Sequence, residues 1–273
     1  MAENPGSEVL FLDEDGELAI SSGSVSTGED VVLYGPDIAR GGSNPSVDQD
    51  ALLISDSQAQ TGPGITAKVV ISDSQGESEG TVVLTTRDQD PADYCGYGSA
   101  GNNAVSGSIS DEILEVGVTS FLLYVDDTTG ERFFGFFHDK YSESDGNFGG
   151  EVDWDVSGIP DGASTVVEDD PESDTPVDSY DLSSGHIENE WGDPNTDGVL
   201  IGTDDNGSVN DAPSNGFTAG ELDGVTVTFD CVKFGPYPPD DGGPPEKIRF
   251  VGDEGTTVER SWDGTNTSVQ ITF

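Results

Sequence analysis

"SFLLYVDDTTGERFFGFFHDKY", residues 120–141, sets two apolar runs on either side of a polar turn. Neither run has the three-to-four-residue spacing of an amphipathic helix. Short apolar runs rich in aromatic and branched residues, broken by Asp, Thr and Gly, read as two strands joined by a turn at Thr128 to Gly130. Phe133, Phe134, Phe136, Phe137 and Tyr141 crowd the second strand. Side chains alternate between the faces of a strand, so aromatics on both faces imply burial on both. One face belongs to a core. The other is either a subunit contact or covered by the chain's own loops, and the residues leave both open.

The same texture extends outward. "EVLFLDEDGELAI" reads as a hairpin with Asp15-Gly16 in its turn. "DVVLYG", "DALLIS", "TAKVVIS" and "TVVLTT" follow as strands, and "ISDSQ" recurs at Ile54–Gln58 and Ile71–Gln75 as two strands leaving through similar polar turns. Beyond residue 141, "EVDWDVSG", "DGVTVTFDCVKF", "EKIRFV", "TTVERSW" and "SVQITF" are again strand-like, and the final apolar Ile271 and Phe273 are expected to dock into a sheet. The chain is therefore expected to be all-β, in two modules of β-sandwich type, immunoglobulin-like or jelly-roll-like. The glycine- and asparagine-rich stretch "RDQDPADYCGYGSAGNN" marks a boundary near residue 91, dividing 1–91 from 92–273.

Charge narrows the function. The 273 residues carry 55 acidic and 9 basic side chains, a net charge of -46. In dilute buffer that density drives a compact chain apart, whereas at about 1 M salt the screening length falls to roughly 3 Å. The acids are dispersed between apolar runs, which separates the chain from acidic disordered tails. A folded protein working in brine is the reading. The same charge excludes nucleic acid and anionic lipid as partners, and no apolar run reaches the length of a membrane span. The first residues, "MAENPGSEVLFLDEDG", lack the basic and apolar regions of a secretory signal, so Cys95 and Cys231 are read as buried thiols in a reducing compartment, with a pairing between them the alternative if strands bring them together.

Catalytic signatures are missing. His138 and His186 are the only histidines, and neither lies in HExxH, G-x-S-x-G or another recognisable motif. Paired carboxylates are so abundant that no pair is informative. The expectation is a non-enzymatic protein.

The sharpest local signal is "WGDPNTDGVLIGTD", residues 191–204. Asp193, Asn195 and Asp197 alternate, Gly198 follows, and Asp204 falls eleven residues after Asp193. The segment resembles an EF-hand or dockerin calcium loop. That resemblance implies Ca2+ held by the side chains of Asp193, Asn195, Asp197 and Asp204 and the carbonyl of Val199. It departs from the pattern in having Asp204 where EF-hands place Glu, Pro194 at the second position, and no flanking helices. An unmetallated Asx-type turn is the competing reading.

In acid excess, scarce lysine, "DGA…DDP" and "TDGV" loop style and modular β organisation, the chain resembles virion structural proteins of haloarchaeal tailed viruses, of capsid decoration, turret or tail type. The resemblance implies a symmetric oligomer and other virion proteins as partners, assembly in the host cytoplasm, and exposure to high salt. The alternative is a calcium-dependent carbohydrate- or cell-surface-binding β-sandwich module. Exposed, coplanar Trp154 and Trp191 would favour that alternative, and an oligomer burying the "FFGFF" strand would favour the virion.

Overall fold

The two apolar runs pair as an antiparallel hairpin, from Thr119 opposite His138 to Val125 opposite Arg132. Asp126 closes its turn by accepting the Thr128 N–H at 2.8 Å, and Gly130 takes the positive φ of +74° that the reversal requires. The structure, a computed structural model, describes residues 65–96, 107–140, 149–168, 178–191, 196–203, 210–236 and 243–273, with the backbone of four short strands before them.

Those four strands are β1 (Phe11–Leu12), β2 (Leu18–Ala19), β3 (Val31–Leu33) and β4 (Leu52–Ile54). β1 pairs antiparallel with β2, in the register of the expected hairpin, and β3 with β4. They belong to a unit ending at Gly64, and the second unit runs from Ile65 to Phe273. A sandwich in the first unit lies outside the described residues.

The second unit opens with β5 (Thr66–Asp73), β6 (Gly76–Val83), β7 (Thr85–Arg87), helix α1 (Pro91–Cys95) and helix α2 (Ile109–Glu112). The hairpin itself is β8 (Val118–Asp126) and β9 (Arg132–His138). Then come β10 (Gly150–Ser157), β11 (Ser164–Glu168), β12 (Ser179–Asp181), β13 (His186–Trp191) and β14 (Asp197–Gly202). Helix α3 (Ala219–Leu222), β15 (Thr226–Pro236), β16 (Lys247–Val251), β17 (Thr257–Ser261) and β18 (Ser268–Thr272) complete it. The boundary expected near residue 91 moves to 64/65, because β5 is hydrogen-bonded to β18 and β6 to β5. The glycine-rich stretch beginning near 91 is an excursion between strands of one unit.

Two seven-stranded sheets form this unit. The first runs β12-β13-β10-β15-β18-β5-β6, and the second β11-β14-β9-β8-β16-β17 with β7 also on β8. They pack face to face. Phe121 of β8 meets Phe229 of β15 with ring centroids 5.4 Å apart and Trp154 of β10 at 6.0 Å. The all-β sandwich is as expected. Its connectivity includes two parallel pairings, β7 and β16 successively along one edge of β8.

The central strands of the second sheet, β8, β9 and β14, are buried on both faces. Phe121, Leu123, Phe134 and Phe136 enter the core between the sheets. Leu122, Tyr124, Phe133 and Phe137 enter a second core with Tyr94 and Cys95 of α1 and Ile109 of α2. Asp90 caps α1 by accepting the Ala92 N–H at 2.9 Å, and Tyr124 ties it down by donating to the Gln89 carbonyl at 2.6 Å. The outer aromatic face of "FFGFF" is thus covered by this chain's own segments. Gly135 interrupts the run because a Cβ there would strike the Val199 carbonyl of β14.

Cys95 and Cys231 sit in different cores and are unpaired with each other. Burial pushes the Cys231 thiol up to about 12 and raises the Cys95 thiol as well. Since the thiolate is the reactive species, a thiol reagent is expected to label neither cysteine in the folded protein and both after unfolding. Rapid labelling of either at neutral pH in the native state would contradict these cores.

Candidate functional site

Strand periodicity builds the site. β10 turns Val152, Trp154 and Val156 into the core, leaving Glu151, Asp153 and Asp155 on the opposite face. β13 does the same with Ile187 and Trp191, leaving His186, Glu188 and Glu190 outside. The antiparallel register sets Glu151 opposite Glu190, Asp153 opposite Glu188 and Asp155 opposite His186. On the other side of β10, a bulge in β15 leaves Val232 unpaired and brings Lys233 opposite Asp153.

Lys233 is the lysine set among these carboxylates. Its ammonium contacts Glu151, and lies 3.8 Å from Asp153 Oδ2 and 3.6 Å from Glu190 Oε1. His186 Nδ1 is 2.9 Å from Asp155 Oδ1 and Nε2 is 3.3 Å from Glu188 Oε1. These two contacts hold the imidazole above its usual pKa, the hydrogen bond to Asp155 most. Asp153 is 6% exposed, and burial, then the neighbouring Glu188, pushes its carboxyl up to about 6. Burial and the adjacent Asp153 and Glu188 also raise Glu190. Asp153 Oδ1 is buried with no hydrogen-bond partner. One ligand atom each from Asp153, His186 and Glu188 lie within 4.8 Å of one another.

No family model matches the chain, and no curated protein or solved structure matches it either. The site stands on its geometry alone.

A second polar group lies inside the sandwich. Asn189 Nδ2 donates to Tyr180 Oη and to Asp197 Oδ1, both at 3.0 Å, and Tyr180 Oη donates to the same Asp197 oxygen at 3.0 Å. His138 Nδ1 meets Thr119 Oγ1 at 2.7 Å, and its ring stacks flat on Trp191 at 4.5 Å. Burial drives the His138 imidazole down to about 3, with the Asn189 side chain opposing. A neutral, stacked imidazole held this way serves packing.

Of the residues singled out for calcium, Asp197 opens β14 and is held by Tyr180 and Asn189, while Val199 is fully buried in that strand between Phe136 and Glu168. Residues 197–202 are thus an extended strand within the second sheet. Asp193, Asn195 and Asp204 lie outside the described residues. Trp154 and Trp191 are fully buried, so the exposed aromatic platform that a carbohydrate-binding module would use is not formed by them. Among the described residues, no helix is long and apolar enough to cross a membrane.

Asp153, Asp155 and Glu188 belong to no sequence motif, and His186 stands in the sequence only as a histidine outside one. Their signal was present as period-two alternation in "EVDWD" and "HIENE". What it lacked was the pairing of two strands separated by a long excursion.

Proposed function

We propose that the chain is a non-enzymatic structural protein of a halophilic assembly, a virion surface component of capsid turret, decoration or tail type. The observation that carries the salt dependence is the register of β10 on β13, which sets Glu151 against Glu190 and Asp153 against Glu188. Like charges directly opposite one another destabilise a sheet. Repeated on a chain of net charge -46, the arrangement is tolerable where mobile ions screen it. Self-association would use polar surface. The aromatic strand is already covered, and Val232 is the exposed large apolar side chain among the described residues.

Two measurements test this. From dilute buffer to molar potassium chloride the unfolding midpoint is expected to rise by about 10 °C or more, the equivalent of a few kcal/mol for a domain of this size. A midpoint indifferent to salt would remove the halophilic reading. Light scattering in molar salt is expected to give a mass above the 28.5 kDa of one chain. A clean monomer at high protein concentration would count against assembly.

A further inference from the structure

We propose that the outer face of the first sheet binds a divalent first-row transition-metal ion, of the kind represented by Zn2+, through Asp153, His186 and Glu188. Three observations converge. The first is spacing. Metal–ligand bonds of roughly 2.0–2.2 Å at tetrahedral angles place donor atoms about 3.4 Å apart. His186 Nε2 and Glu188 Oε1 are 3.3 Å apart, and the Asp153 oxygen completes a set within 4.8 Å. Small rotations of the half-buried His186 and Glu188 close the remainder.

The second is orientation. Asp155 is a carboxylate and can only accept, so the 2.9 Å contact fixes the proton of His186 on Nδ1. Nε2 is thereby turned toward Glu188. Metal-bound histidines are commonly fixed in this way, with the far nitrogen donating to a carboxylate. The ion takes its place between Nε2 and Glu188 Oε1, which already face each other at 3.3 Å.

The third is an unmet valence. Asp153 Oδ1 is buried and unpartnered while Oδ2 faces Lys233. A buried acceptor without a partner is costly, and a cation on Oδ1 removes that cost. Asp153, Asp155 and Glu188, with Glu151 and Glu190 alongside, outnumber the basic side chains Lys233 and His186 that face them, a shortfall a dication makes good.

The imidazole selects the class of ion. Calcium, magnesium and the alkali ions of brine prefer all-oxygen shells, whereas zinc, iron and nickel accept imidazole readily. The site is therefore distinct from the diffuse counter-ions of the acidic surface.

The test is calorimetric titration of the chelator-treated, dialysed full chain with ZnCl2 in molar potassium chloride, with excess Mg2+ and Ca2+ present. One saturable Zn2+ per chain is expected. His186→Ala and Asp153→Asn should each weaken binding at least tenfold, and Asp155→Asn about tenfold through loss of the orienting bond. Circular dichroism of each variant checks folding. Should His186→Ala fail to fold, Glu188→Gln at a half-buried position reads the same loss. Absence of saturable uptake, or uptake unchanged in the folded variants, overturns the proposal.

Discussion

Replacing Phe121 with alanine is expected to lower the unfolding free energy by about 3–5 kcal/mol, the usual cost of emptying a buried aromatic site. Phe121 is fully buried where the two sheets meet. Its ring stacks on Phe250 at 4.9 Å within its own sheet, and lies 5.5 Å from Phe136. Across the interface it meets Phe229 and Trp154 edge-on. Alanine removes the transfer free energy of the ring, leaves a cavity that aromatic neighbours on strands cannot collapse to fill, and deletes several aromatic pairs. Denaturant unfolding in molar salt measures the loss, with Val232→Ala at an exposed position as the control expected near zero. A loss below about 1 kcal/mol at Phe121 would be inconsistent with sheets packed through that ring.

The second large effect is pH dependence from His138. In the unfolded chain the imidazole titrates near 6.5, whereas burial lowers it to about 3 in the folded protein. Between those values the unfolded chain binds a proton that the native state refuses. Stability is therefore complete above about 6.5 and declines as pH falls below it. His138→Gln removes the titration and leaves a polar side chain facing Thr119. The stability advantage of the original chain over this variant is expected to shrink by about 2 kcal/mol between pH 8 and pH 5. Taking the difference matters, because His186 has its pKa raised and shifts stability with the opposite sign. It is present in both proteins and cancels. A difference that stays flat from pH 8 to 5 would show that His138 is not held neutral in the core.

The fold class was legible because the strands declare themselves locally. The run 120–141 contains most of both strands, their turn, and aromatics on alternate positions that demand two cores. What covers the second aromatic face was not legible, since α1 and α2 are only five and four residues long, too short to show helical periodicity. The boundary near 91 misled for a related reason. Glycine and asparagine mark a change of local conformation, while unit membership depends on β5, with β6 beside it, pairing with a strand nearly two hundred residues later. In the candidate site, each half was readable as alternation of acid and apolar residues. The register joining His186 to Asp155 depends on which strands pair, and that is a property of the whole sheet. The opposite error arose at 197–202, where carboxylate spacing spoke for a loop. Val199, Leu200 and Ile201 are fully buried, and burying those three side chains outweighs the turn preference of Asp and Gly.

One consequence follows from the place of β18. It lies between β15 and β5 in the first sheet, yet every other strand of that sheet precedes it in sequence. During vectorial synthesis the ribosome must finish residues 268–272 before β5-β6 can be joined to β15-β10-β13-β12. Until then the sheet exists as two half-sheets, each with an open edge facing the missing strand. Such edges are sites of mispairing between chains. Early closure is further slowed by the long sequence separation of the β5–β18 contact. The acid dispersed along the chain then acts before the native state exists, since nascent chains of strong like charge repel one another while their edges wait.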